Sequence, residues 1–166
     1  TSLSMNVGES IDLDIDAYLP ETYVVSEEQR LDLYKRIALI DSEEGRDEML
    51  DELIDRFGEP SRSVQNLLFI AMLRMEAHKA FVTDIVQRPE EIVFTLFERA
   101  AIDASGIPAV IEKNKPYVTF TADAKHPAFH YFYKKNSRIK PKDLPDLVMT
   151  FVKELQGLAL NQKSEN

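Results

Sequence analysis

Hydrophobic positions along the 166-residue chain follow first a strand period, then a helical one, then a strand period again. Ile11, Leu13 and Ile15 alternate with Asp12, Asp14 and Asp16, the pattern of a strand with one wet face, and Tyr18-Leu19-Pro20 ends it. Ser26 followed by Gln29 is a capping-box pattern; it opens a helix in which Leu31, Tyr34, Ile37 and Ala38 recur at helical spacing to about Ile40. Asp41 or Ser42 caps a second helix with Met49, Leu50, Leu53, Ile54 and Phe57 on one face, stopped by Gly58 and Pro60. Ser61 or Ser63 caps a third helix reaching about Lys79, whose segment 67–73 is apolar all round and belongs in a core.

Beyond the third helix the period changes. Residues 81–87 and 91–97 are short β-branched and aromatic runs split by Arg88-Pro89-Glu90, which predicts a hairpin. Helical spacing returns briefly from Ile107 to Lys113. Two further strands are predicted at 117–121 and in the aromatic run 128–133, before a last helix from Lys142 or Leu144 to Leu158. Helices come first and strands later, so the predicted class is α+β: an N-terminal helical part (three helices after a short strand), then a small, mostly antiparallel sheet with a short helix and a C-terminal helix. The expected organisation is a flexible lead-in at 1–10, one domain over 11–158 and a flexible tail at 159–166.

Composition narrows the function classes. Hydrophobic residues at 44% and charged residues at 30% describe a packed globular chain. No apolar run approaches the roughly 20 residues of a bilayer span, and the start lacks a signal-peptide pattern. Zero cysteines exclude disulfides, a cysteine nucleophile and thiolate metal sites, and suit the cytoplasmic location expected here. The net charge of −9 is unevenly spread: residues 1–60 hold 17 acidic and 5 basic side chains (−12), residues 61–166 hold 12 and 15 (+3). An acidic N-terminal third suits a basic protein surface or plain solubility, and disfavours phosphate contact there.

Catalytic signatures are missing from the pattern. The five glycines are isolated, which excludes a phosphate-cradling loop, and no serine sits in a nucleophile elbow. His126 and His130 are four apart, but Pro127 and the strand-like run around them oppose a shared helical face. Neither a metal, a cofactor nor a catalytic residue is assigned, and no enzyme activity is expected of the domain itself.

The second helix carries the feature that periodicity singles out. Opposite its apolar face gather Glu44, Glu48, Asp51, Glu52, Asp55 and Glu59. Like charges four apart cost a few tenths of a kcal/mol per pair, and acids at the C-terminal end oppose the helix dipole. Stability alone would not choose this face, so a docking role for it stands beside that of a solvated surface. A second cluster, Lys134, Lys135, Arg138, Lys140 and Lys142, adjoins the aromatic run. It is read first as a solvated loop flanking a core strand, and alternatively as a nucleic-acid-binding accessory module using phosphate contact and base stacking.

Several runs resemble one family in their order: Ala17-Tyr18-Leu19-Pro20 with Tyr23, the stretch from Arg30 to Ala38, Glu52-Leu53-Ile54-Asp55-Arg56-Phe57-Gly58, and Val64-Gln65-Asn66-Leu67-Leu68. Together they resemble the C-terminal domain of the bacterial transcription-repair coupling factor (Mfd), clearly over about 11–79 and more loosely to about 158. The resemblance implies a regulatory, non-catalytic domain of a larger ATP-dependent DNA translocase, with no motor motif in this chain. It implies docking on a UvrB-like N-terminal module of the same protein, which masks the surface for UvrA until stalled RNA polymerase is engaged. Glu52 and Asp55 match the family's docking acids. Arg56 also matches the motif, and Glu48, Asp51 and Glu59 extend the same face; no membrane partner is implied, and nucleic acid is not expected for this domain alone.

Overall fold

The computed structural model describes residues 10–160. Of the expected lead-in and tail, residues 1–9 and 161–166 lie outside the described residues. Within them the chain forms two compact units, one of residues 14–75 and one of residues 10–13 and 76–160.

The first unit is helical: α1 (Glu27–Ala38), α2 (Glu43–Phe57) and the greater part of α3 (Arg62–Lys79). Two of the predicted serine caps are in place, Ser26 Oγ accepting from the Gln29 N–H and Ser42 Oγ from the Gly45 N–H, while Ser61 directly precedes α3 and accepts from the Val64 and Gln65 N–H groups through its carbonyl. Leu19, Val24, Leu33, Ile37, Leu53 and Leu67 form the centre of the core. Each fully buried leucine or isoleucine contributes about 1.5–3 kcal/mol. α1 ends at Ala38, two residues short of the expected stop. Its last turn tightens into i→i−3 bonds from Leu39 and Ile40, and the Ala38 carbonyl accepts from the buried Arg74 guanidinium at 2.9 Å.

The segment before α1 is tied to the helices by tyrosines. The Tyr34 hydroxyl accepts from the Leu19 N–H at 2.8 Å. The Tyr23 hydroxyl donates to the end of α2, 2.7 Å from the Gly58 carbonyl and 3.1 Å from that of Leu53. Its ring packs on Phe57 with centroids 5.7 Å apart. The spacing of Leu19 and Tyr23 from the helices behind them thus has a local structural reason.

The second unit is a five-stranded sheet in the order β1-β2-β3-β5-β4, with β1 (Ser10–Asp12), β2 (Val82–Gln87), β3 (Ile92–Leu96), β4 (Val118–Thr121) and β5 (Ala128–Tyr131). β1 pairs parallel to β2 and all other neighbours are antiparallel. α4 (Ile107–Lys113) leads into β4, and α5 (Leu144–Leu155) brings Phe151 against Phe94, Phe129 and Tyr131, at centroid distances of 4.9, 5.8 and 5.3 Å. The α+β class and the mostly antiparallel sheet are as predicted.

Boundaries differ where pairing or backbone geometry overrides pattern. The first strand stops at Asp12, opposite Val86, and excludes Leu13 and Ile15; β2 ends one residue further on at Gln87, which leaves Ile15 no partner. The strand expected from residue 81 begins at Val82, since Phe81 closes α3 in the left-handed region with φ 59°. The aromatic run is a strand only to Tyr131; Tyr133–Lys135 turns as a 3-10 segment, pinned by the Tyr133 hydroxyl donating to the Arg88 carbonyl. The last helix ends at Leu155 and tightens into a 3-10 turn, Gln156–Leu158. Ala159, placed by expectation in the tail, bridges to Ile102, and the Leu160 N–H donates to the Ala101 carbonyl.

Gly58 ends α2 at φ 90° and ψ −175°, a region that side chains with a Cβ avoid. Gly58→Ala is therefore expected to lower the unfolding free energy by about 1–3 kcal/mol even though a Cβ there would meet no neighbour within 4 Å, measured as a shifted urea midpoint.

A candidate docking face on the second helix

α2 buries Met49 and Leu53 and rests Leu50 and Phe57 against the same core, which turns the acidic side outward. Ile54, placed by periodicity on the apolar face, is 37% exposed at its margin. Glu48, Asp51, Asp55, Arg56 and Glu59 are all exposed, as expected.

The expectation of an uncompensated row fails at Glu52. This residue sits on the flank of the acidic face nearer Met49, where α1 brings Arg36 alongside. Arg36 donates to both carboxylate oxygens, Nη1 to Oε2 at 2.8 Å and Nη2 to Oε1, and Arg56 Nη1 donates to Oε2 at 2.6 Å. Hydrogen bonding to Arg36 first, then to Arg56, holds the Glu52 carboxyl at about 2, and the same contact raises Arg36. Arg36 also lies 3.7 Å from Asp32, and the Arg56 guanidinium lies over the Phe57 ring, 4.9 Å from its centroid. Half of the clamp has a spacing signal, since Arg56 follows Glu52 by four residues; the other half has none, because Arg36 shows such spacing only to Asp32 and its approach to Glu52 follows from the packing of α1 on α2.

The fold therefore uses most of the segment 52–58. Glu52 and Arg56 pair, Leu53 is core, Phe57 packs on Tyr23 and Gly58 supplies the turn. Asp55 makes no ion pair or hydrogen bond among the described residues, and neither do Glu48, Asp51 and Glu59. Glu59 does act on Tyr23, whose hydroxyl is raised by burial and then by this charge. Beside the clamp lies a cleft of about 260 Å3 lined by Arg36, Leu39, Ile40, Asp41, Gly45, Glu48, Met49 and Glu52. Its apolar part includes Leu39, 72% exposed, and its rim carries Asp41 and Glu48.

The other candidates resolve differently. His130 donates or accepts through both ring nitrogens, Nδ1 to Glu91 Oε1 at 2.6 Å and Nε2 to Thr121 Oγ1 at 2.9 Å, a relay the sequence did not announce. His126 takes no part in it. Among the described residues, no group of three or more His, Asp or Glu side chains is placed to hold a metal ion. No helix among them is long and apolar enough to cross a membrane. Lys134, Lys135, Arg138, Lys140 and Lys142 are all exposed on the turns after β5. The aromatic rings beside them are already engaged within the unit. Lys135 covers the Phe132 ring at 4.8 Å, Phe132 stacks on His130, Tyr131 packs edge-on against Phe151 and Tyr133 is buried.

An α+β chain whose helical unit carries this clamp and acidic face belongs to a defined class. The profile described as the TRCF domain matches residues 13–107, and the chain belongs to that family. It is 35% identical over 96 residues to the transcription-repair-coupling factor of Bacillus subtilis (strain 168), covering 58% of this chain and 8% of that protein. It is 36% identical over 75 residues to that of Mycobacterium tuberculosis (strain CDC 1551 / Oshkosh), covering 45% and 6%. The chain thus matches a small fraction of its curated relatives' length. A crystal structure of the C-terminal domain of a transcription-repair coupling factor superimposes with a TM-score of 0.74 over 94% of this chain and 96% of that one, at 24% identity. That likeness shows the shared fold, including the part beyond residue 107.

Removing the clamp has a signed pH signature. The folded value of Glu52 lies below the ordinary 4.5, so its stabilisation is complete above that pH and is lost as pH falls through about 2. With both arginines partly exposed, Glu52→Gln is expected to cost no more than about 1 kcal/mol near neutral pH. The gap between wild type and variant should close in urea melts taken towards pH 2.

Proposed function

We propose that this chain is a non-catalytic autoinhibitory domain of a transcription-repair coupling factor, a regulatory unit over residues 11–158 of a larger cytoplasmic DNA translocase. It docks through the outer face of α2 on a UvrB-like N-terminal module of the same protein. Docking masks the surface for UvrA until stalled RNA polymerase is engaged. The observation that carries this reading is Asp55: within a segment whose other charged side chains are spent on the fold, it is exposed and unpaired, with Glu48, Asp51 and Glu59 around it.

Glu52 and Arg56 take a different part from the one sequence suggested. Their charges compensate each other and Arg36, so they position the face, while Asp55 and its unpaired neighbours supply the net attraction. The cleft beside the clamp supports the same reading. A basic side chain could lay its aliphatic stem on Leu39, Ile40 and Met49 and bring its charge to Asp41 and Glu48. The carboxylates with a resolved shift, Glu52 and Asp123, are both lowered, whereas a general acid needs the opposite.

A lock of this kind is reversible by design of its energetics. Tethering in one polypeptide gives an effective concentration reaching about the millimolar range, so a weak contact closes, and a coupling of about 1–3 kcal/mol lets it open. Charge pairs give specificity without an apolar seal. In the coupling factor carrying this segment, Asp55→Lys with Glu59→Lys is expected to raise UvrA capture several-fold, while Glu52→Gln gives a smaller rise. Unchanged capture by a folded Asp55→Lys, Glu59→Lys protein removes the α2 face from the mechanism.

A further inference from the structure

We infer that the turns after β5 form a contact surface for the phosphodiester backbone of double-stranded nucleic acid, recognised by charge alone. This goes beyond the docking of α2 and uses residues of the other compact unit.

Lys134, Lys135, Arg138, Lys140 and Lys142 place five cations within nine residues, all exposed. None pairs with a carboxylate among the described residues. Other lysines of the same unit do: Lys79 with Glu76, Lys113 with Glu154 and Lys115 with Glu112. The nearest acid in sequence, Asp143, spends its Oδ2 on the Lys140 backbone N–H at 3.1 Å. Four of the five are lysines, point charges suited to a row of phosphates; a carboxylate partner would favour the arginine fork.

The backbone that carries the cations is ordered before any ligand arrives. Tyr133–Lys135 and Pro141–Asp143 are 3-10 turns, Asn136 Oδ1 accepts from the Arg138 N–H at 3.1 Å, and the buried Tyr133 anchors the segment to Arg88. Order of this kind reduces the entropy lost on binding. Between the turns lies a cavity of about 130 Å3. Lys134 and Lys140 line it beside Tyr133, Ile139, Pro141 and Leu144, and most of its wall is apolar, so phosphate contact rests on the exposed cations and not on this recess.

The choice of duplex over single strand follows from the aromatic residues. Their faces are already occupied, so unstacked bases gain nothing here. What remains is charge density, which is greatest on a duplex, about one phosphate per 1.7 Å of axis.

The test is fluorescence anisotropy of the 166-residue chain with a labelled mixed-sequence duplex of about 20 base pairs at low salt. The expected dissociation constant is of order 10⁻⁵ M, with a log–log salt slope between about −2.5 and −4.5. Lys134→Glu with Lys140→Glu should weaken binding by about tenfold or more; Lys125→Glu with Lys153→Glu, an equal charge change elsewhere, should weaken it less than about threefold. Should the first pair disturb the circular dichroism spectrum, Lys134→Gln with Lys140→Gln replaces it, with a smaller loss in the same direction. The inference is overturned by no binding at low salt, by equal sensitivity to both pairs, by tighter binding of a single strand of the same length, or by displacement of the duplex by polyglutamate at equal charge. None of these outcomes bears on UvrA capture, so it stands or falls separately from α2.

Discussion

α2 has one side that must be buried and one that must not, and the contact between α1 and α2 decides how the second is used. Leu53 is fully buried and Met49 nearly so, which fixes the rotation of the helix about its axis. With that rotation set, Glu52 is the carboxylate that meets Arg36, and Arg56 closes on it from one turn away. A single carboxylate gripped by two guanidinium groups is satisfied locally and loses its value as a beacon for a partner. The same geometry leaves Asp55 standing alone, since it points away from both arginines' reach. Packing thus separates acids that hold the surface from acids that are displayed on it.

Charge is divided between the two units as well as along the helix. The helical unit displays carboxylates, while the turns after β5 in the sheet unit display ammonium groups without carboxylate partners among the described residues. Both surfaces are rich in charge, which yields contacts sensitive to salt and quick to reverse. This suits a family whose relatives are bacterial transcription-repair-coupling factors.

The helices were legible because each of their signals is local. Ser26 and Ser42 cap where the pattern puts them, and Gly58 stops α2 by backbone conformation alone. The hairpin, α4 and the two later strands were equally readable, as was the fold class. Strand ends were not, because they depend on pairing with a partner strand, as with Asp12 beside Val86, or on one residue's φ, as at Phe81. The acidic face could be drawn from periodicity, but its neutralised member could not. Arg36 and Glu52 are 16 residues apart, and no spacing rule links positions on successive helices. The aromatic run beside the lysines was ambiguous for a related reason: sequence shows rings, and only packing shows which of their faces are covered.

The parallel pairing of β1 with β2 has a consequence for how the molecule is made. Ser10 faces Asp84 across the sheet, with the whole helical unit strung between them. Joining two such distant segments carries a large loop-closure cost in an unfolded chain. Once the three helices have condensed, that intervening stretch is compact and the cost falls. Condensation of the helices therefore lowers the cost of bringing the N-terminal strand to its place beside β2.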